Sequence, residues 1–352
     1  MPLVAHKSLP TFDRLRESGQ EILSLGNALH QDIRELHIGF LNMMPDAALM
    51  VTEEQFMRLI GSSNQIAQFF VHLFSIPGLE RSSETQKYID QYYTSFDEIS
   101  EQGLDALIIT GANVANPTLE QEPFWEPLQE VIDWATENVT SVLCSCLATH
   151  AIVKALHRID RRELPQKRWG VYTHRITQSE HPLLSDINTR FDVPHSRNND
   201  VSREQLEEAG FKILVDSEEG GVHIAVSPDQ FRIVYLQGHP EYDRNSLLKE
   251  YKREVLRFIN SEREDYPPHP EHYFNREASR IADDFKQKVL KYKETPPFPE
   301  EEIERHLDNT WRDTGRAFFN NWLGLVYRLT NMDRKTPFLA GIDPKNPLGL
   351  NK

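Results

Sequence analysis

A series of short apolar runs punctuates the chain, at 36–43, 65–74, 106–110, 139–146, 211–215, 222–227 and 231–237. Each is bounded by polar or turn-forming residues and reads as a buried strand. Between several of them the apolar positions recur at helical spacing, most clearly over 53–60, 123–136, 149–156 and 244–260. Strand and helix alternate through about the first 160 residues, which predicts an α/β fold with a doubly wound, mostly parallel sheet and helices on both faces. The runs 222–227 and 231–237, joined by a turn around Pro228-Asp229, predict an antiparallel edge on that sheet.

The two ends differ from this centre. Residues 1–34 are polar with one amphipathic stretch, so an irregular N-terminal arm is expected before an α/β catalytic domain over 35–265. Tyr266-Pro267-Pro268-His269-Pro270 then reads as a surface linker. Residues 278–292 have helical spacing, with Ile281, Phe285, Val289 and Leu290 on one side, and prolines over 296–299 break the pattern. An aromatic helix over 311–329 follows, making 266–352 a linker and helical C-terminal extension.

Bulk properties restrict the setting. A chain of 352 residues with 39% hydrophobic content has enough apolar material for a large core. Its formal net charge of −15 argues against a general nucleic-acid binder, which needs a Lys/Arg surplus to replace phosphate counterions. A stretch of about 18 apolar residues, the least that spans a bilayer, is missing, and the first residues lack the hydrophobic region of a secretory signal. A cytoplasmic protein without membrane partners is expected. Two cysteines, two positions apart, suit neither a disulfide framework nor a C-x-x-C zinc site, so no metal is expected.

The chemistry concentrates at two strand ends. In Val142-Leu143-Cys144-Ser145-Cys146-Leu147-Ala148-Thr149-His150 an apolar run ends in Cys146 and then turns helical. Unpaired N–H groups at a helix start lower a thiol's pKa and can form part of an oxyanion hole; the same position also suits a small buried hydrophobe. Cys144, inside the strand, reads as packing. The second end is Gly238-His239-Pro240-Glu241-Tyr242, where His239 can serve as base and Glu241 can orient it. Gly238 is expected to permit a sharp exit and Pro240 to stop the ladder.

Three further places carry polar groups. The turn-rich run Asp192-Val193-Pro194-His195-Ser196-Arg197-Asn198-Asn199-Asp200 offers the planar fork of Arg197, which suits a carboxylate but also a solvated surface. Arg253, on the helix after His239, lies within possible reach of the site or on a solvated face. The loop 110–116, with Gly111 and Ala115, follows a central strand, so its N–H groups complete an oxyanion hole or merely make a turn. His150, one helical turn beyond Cys146, reads as pocket wall or as a hydrogen-bonded core residue.

Taken together these pieces resemble a family, the homoserine O-acyltransferases of the transsuccinylase type, which make the activated homoserine of methionine biosynthesis. The resemblance is carried by Leu41-Asn42-Met43-Met44-Pro45, Gln55-Phe56-Met57-Arg58-Leu59-Ile60, Ile109-Thr110-Gly111-Ala112, the Cys146 element, Pro194-His195-Ser196-Arg197, Gly238-His239-Pro240-Glu241-Tyr242-Asp243 and Phe319-Asn320-Asn321-Trp322-Leu323, in that order. It implies a flavodoxin-like, class I glutamine amidotransferase-like fold, a triad of Cys146, His239 and Glu241, an acyl-CoA co-substrate with no bound cofactor, and a homodimer. By the same resemblance Arg197 and Arg253 bind the amino-acid carboxylate, with Ser196, Gly111 and Ala115 also at the substrates. Ala115 stands where the family places Gly with succinyl donors and Glu with acetyl donors, which favours succinyl-CoA. The chain departs from the family at Leu147 and His150, where Trp and Gln are usual, after Pro45, where Lys is usual, at Thr173, where Glu is frequent, and over 275–309, which looks like an insertion.

Succinyl transfer from succinyl-CoA to the hydroxyl of L-homoserine is therefore the leading expectation. An acetyl-CoA-dependent enzyme, a glutaminase-like amide hydrolase with the same triad, and a catalytically silent relative are the alternatives. The Cys146 element lacks the Gly-x-Gln usual in amidotransferases, and the intact Cys, His and Glu speak against a silent protein.

Overall fold

The computed structural model describes residues 3–30, 33–64, 66–291 and 296–351. Among them, eleven strands form one sheet: β1 Leu3–Ala5, β2 Ile22–Ser24, β3 Glu35–Leu41, β4 Gln68–Phe74, β5 Ala106–Ile109, β6 Ser141–Ser145, β7 Arg162–Ile176, β8 Arg190–Asp200, β9 Lys212–Asp216, β10 Ile224–Val226 and β11 Ile233–Leu236. Their spatial order is β2-β1-β4-β3-β5-β6-β11-β10-β9-β7-β8. Every pair from β2 to β11 along this order is parallel, and the pairs from β11 to β8 are antiparallel. The expected α/β class with a mostly parallel sheet is thus present.

Every residue of β5 and β6 is buried. Apolar side chains there serve two faces, since helices cover both sides of a parallel sheet, and this is why the strands read as unbroken apolar runs. The sheet separates two large cores. One combines Ile38, Phe40, Phe56 and Leu143 with Phe318, Phe319 and Trp322; the other combines Ile109, Leu128, Val142, Cys144 and Tyr235. No helix among the described residues is long and apolar enough to cross a membrane.

The structure changes several expectations. The N-terminal residues are not irregular: β1 pairs in parallel with β2 and β4, extending the sheet, and helix Pro10–Glu17 buries Phe12 and Leu15. A three-residue strand carries too short a pattern to be read in a polar context. The pair β10–β11 is antiparallel as expected but lies inside the sheet, because β11 continues in parallel onto β6 and β10 onto β9. The run 192–200 is strand and not turn: β8 is the edge strand, where a Pro such as Pro194 is tolerated because no further strand calls for its missing N–H, and its long hairpin with β7 is invisible to apolar periodicity. Helix Arg312–Leu329 contributes Trp322 to the main core, with Trp322 Nε1 donating to Ser141 Oγ at 2.9 Å. It packs on the sheet as an integral layer. Helix Arg276–Lys291 instead joins Tyr251, Trp169 and Phe285 in a separate cluster. The expected first residue of the second strand, Gln65, and last residue of that helix, Tyr292, lie outside the described residues.

Candidate active site

Parallel pairing of β6 with β11 brings the two chemical elements to one edge. Ser145 faces Leu236 in register, and the Cys146 N–H donates to Leu236 O at 2.8 Å, so the chain leaves both strands side by side at their carboxyl ends. Cys146 has φ 54° and ψ −114°, a conformation non-glycine residues rarely hold. It caps helix Leu147–His157, turning the thiol out of the strand line at the helix's positive end. Gly111 lies against this turn: a Cβ there would stand 3.6 Å from Leu147 N and 3.7 Å from Cys146 Cβ.

His239 and Glu241 form a close pair, with Nδ1 2.7 Å from Oε1 and the Glu241 side chain 3% exposed. A carboxylate at Nδ1 places the neutral ring's proton there, leaving Nε2 as the base. Nε2 has no close hydrogen-bond partner among the described residues and lies in electrostatic range of Cys146. Burial alone would push the His239 pKa down, but the Glu241 carboxylate and the Cys146 thiolate reverse this and raise it. For Cys146, burial pushes up while His239 and Arg197 pull down, with a net lowering. Both shifts favour a thiolate–imidazolium pair. Cys144 has no such neighbour, and burial raises its thiol well above the ordinary range.

Gly238 works differently from the expected sharp exit. Its φ is unexceptional, but a Cβ would come within 2.5 Å of Val193 Cγ1 and 2.7 Å of His195 Cε1. The requirement is close approach to β8. Behind it, Gly238 N donates to His223 Nδ1 at 3.3 Å and His239 N donates to Pro194 O at 2.8 Å, which fixes the base's backbone.

The remaining expected residues divide. Arg197 is 4% exposed and its fork is committed. Nε and Nη2 donate to Asp200, Nη2 also to Gly220 O, and Nη1 to His195 Nδ1 and Gln237 O. All five donors are used, so no N–H is left for a substrate carboxylate, and what reaches Cys146 is the charge. Arg253 has its side chain 62% exposed and, among the described residues, makes only a 3.5 Å contact with Glu254. Ser196 Oγ donates to Glu250 Oε2 at 2.7 Å. Ala115 N and Asn116 N both donate to Glu122 Oε1, at 2.8 and 2.7 Å, which fastens the loop after β5. His150 is buried with Nε2 3.0 Å from Gln237 Oε1, the core role expected of it.

Three residues without an assigned role in the sequence reading complete the site. Tyr242 stacks on His239, centroids 4.2 Å apart and planes 17° apart, and its hydroxyl donates to Glu250 Oε1 at 3.0 Å. Lys167 Nζ donates to Glu250 Oε2 at 3.2 Å. Glu250 thus ties Ser196, Lys167 and Tyr242 together beside the base. The available signal was a carboxylate placed among the buried positions Leu247, Leu248 and Tyr251 of helix Ser246–Ile259. A cleft of about 740 Å³ opens beside this centre at the carboxyl ends of β3, β4 and β5, bordered by Met43, Asp46, Arg81, Asn113 and Ala115.

The family model described as homoserine O-succinyltransferase matches residues 2–332. The chain belongs to the homoserine O-succinyltransferase family. Relatives named homoserine O-succinyltransferase include one from Methylococcus capsulatus, 60% identical over 99% of this chain and 100% of that protein, and one from Methylobacter tundripaludum with the same figures. Among solved structures, a glutamine amidotransferase from Thermotoga maritima matches with TM-score 0.42 and 14% identity over 83% of this chain and 98% of that one, a score that carries no argument here.

Proposed function

We propose that this protein transfers a succinyl group from succinyl-CoA to the hydroxyl of L-homoserine through an acyl-enzyme on Cys146, as a step of methionine biosynthesis. Membership of the family supports the substrates. The observation that carries the mechanism is the Cys146–His239–Glu241 constellation at the joined ends of β6 and β11.

The Cys146 thiolate attacks the thioester carbonyl, forming the C–S bond to the enzyme while negative charge develops on oxygen. Leu147 N–H, unpaired as the first of its helix, and the adjacent Gly111 N–H are the donors proposed for that oxygen. Collapse breaks the bond to coenzyme A, whose sulfur takes the proton held on His239 Nε2. Neutral His239 then accepts the homoserine hydroxyl proton, the alkoxide attacks the acyl carbon, and O-succinylhomoserine departs as the Cys146 thiolate and His239 imidazolium re-form. Glu241 holds the ring and its charge throughout.

Glu250 is proposed to receive the amino acid's ammonium, with Lys167, which bonds Glu250, and Arg253, on the same helix as Glu250, as cations for its carboxylate. The cleft beside Ala115 is proposed for the coenzyme A arm, and Ala115 presents no charge against a succinyl carboxylate. Activity as a cytoplasmic homodimer, without a bound cofactor, completes the proposal. The experiment is intact-protein mass spectrometry after rapid mixing with succinyl-CoA. One succinyl group on the peptide containing Cys146, and no turnover in a folded Cys146→Ala variant, are expected; an adduct on Cys144, or normal turnover in that variant, overturns the reading.

A further inference from the structure

A succinyl group carries a carboxylate two methylenes beyond its reacting carbon, and placing that charge in a partly dry pocket is costly unless a cation meets it. Several cations around this end of the sheet are committed to protein partners. Arg197 uses every donor, as described above. Arg81, which borders the cleft, bonds Met44 O and pairs with Asp46. Lys154 is held between Asp160 at 2.6 Å and Glu120 at 2.9 Å.

Arg161 is the exception. It is half-buried, yet makes no hydrogen bond or ion pair with any described residue. Its backbone position is fixed on both sides. Asp160 is tied through Lys154 to Glu120, at the short helical turn Leu119–Gln121 that leads into Glu122. Arg162 is the first residue of β7 and pairs with Asp200, the partner of Arg197. The side chain between these anchors lies in electrostatic range of the Cys146 sulfur and of Glu122: burial lowers its pKa, and those two charges oppose the fall. No hydrogen bond joins it to Glu122, whose Oε1 accepts from the N–H groups of Ala115 and Asn116. Half-buried between these two anchors, Arg161 keeps its planar donor set free of any described residue.

We propose that Arg161 determines donor specificity by binding the distal carboxylate of the succinyl group, both on the thioester and on the acyl-enzyme. This rests on the acyl-transfer reading and assigns that reaction a residue for which the triad has no use. Arginine suits the role because its fork can take both carboxylate oxygens at once. An acetyl donor has nothing to offer the fork and gains nothing from it.

The test uses the full-length protein with homoserine and compares kcat/KM for succinyl-CoA and acetyl-CoA in the unmodified enzyme, Arg161→Met, Arg161→Gln and Arg161→Lys, with the mass of the Cys146 adduct as a second readout. Loss of a charged hydrogen-bond pair predicts a fall of about 10- to 100-fold with succinyl-CoA in the Met and Gln variants. Acetyl-CoA should change by less than about threefold, and Arg161→Lys should recover part of the succinyl rate by restoring the charge. The Gln variant decides the matter if the Met variant does not fold. An unchanged donor ratio, or equal losses with both donors, overturns the assignment of Arg161. Failure of the unmodified protein to form the Cys146 succinyl adduct overturns the acyl-transfer reading itself, and the Arg161 assignment with it.

Discussion

Replacing Glu241 by Gln keeps the size of the side chain and removes its charge, which isolates what the carboxylate does for His239. The pair is 2.7 Å apart with Glu241 nearly excluded from solvent, so solvent screening is weak. A hydrogen bond to a charged group contributes about 1.5–3 kcal/mol. At about 1.4 kcal/mol per pKa unit, the imidazolium should lose on the order of 1–2 units of stabilisation, and the Cys146 thiolate should weaken with it. The Gln amide can also donate to Nδ1, which forces the ring proton onto Nε2 and removes the base. Turnover should fall on the order of 10²- to 10⁴-fold, leaving more activity than His239→Ala. The assay is kcat/KM together with the rate of iodoacetamide alkylation of Cys146 against pH. In the unmodified protein alkylation should extend below the ordinary thiol range near 8.5, because His239 and Arg197 depress the Cys146 pKa; in Glu241→Gln its midpoint should rise. An unchanged alkylation profile with kcat/KM within about threefold would refute this account of the triad.

Gly238→Ala should destabilise the protein by about 1–3 kcal/mol in urea unfolding and depress turnover by moving His239, since the new methyl meets Val193 and His195; a neutral result would mean that β8 yields freely. Acid should also weaken the fold before the carboxylates titrate. Burial holds His150, His174 and His181 down to about 4, whereas the unfolded chain takes up those protons near 6.5. Their contribution is complete above about pH 6.5 and is lost as pH falls toward 4, by about 1.4 kcal/mol per unit for each histidine once the unfolded state is protonated. Equal urea midpoints at pH 7 and pH 5 would contradict this.

Strand runs of apolar residues, the helix after Cys146 and the His239-Pro240-Glu241 element were all legible along the chain, because burial on two faces and the strand-to-helix change leave local patterns. The pairing of their ends was not, since β6 and β11 are separated by almost 90 residues and only the register of Ser145 with Leu236 brings thiol and imidazole together. The polar hairpin of β7 and β8 escaped apolar periodicity for the same reason that it matters: its buried groups, His174, His195 and Arg197, satisfy one another and need no apolar alternation. A free guanidinium on Arg197 could be expected from its residue type, yet tertiary packing assigned its donors to Asp200, Gly220, His195 and Gln237. The same packing left Arg161 without a hydrogen-bond partner among the described residues, set Tyr242 against the base and bonded Glu250 to Tyr242. Sequence determined which groups were present and which elements carried them. Tertiary structure decided which polar groups spend their hydrogen bonds on the protein and which remain for a substrate, because that depends on distances between segments with no local signature.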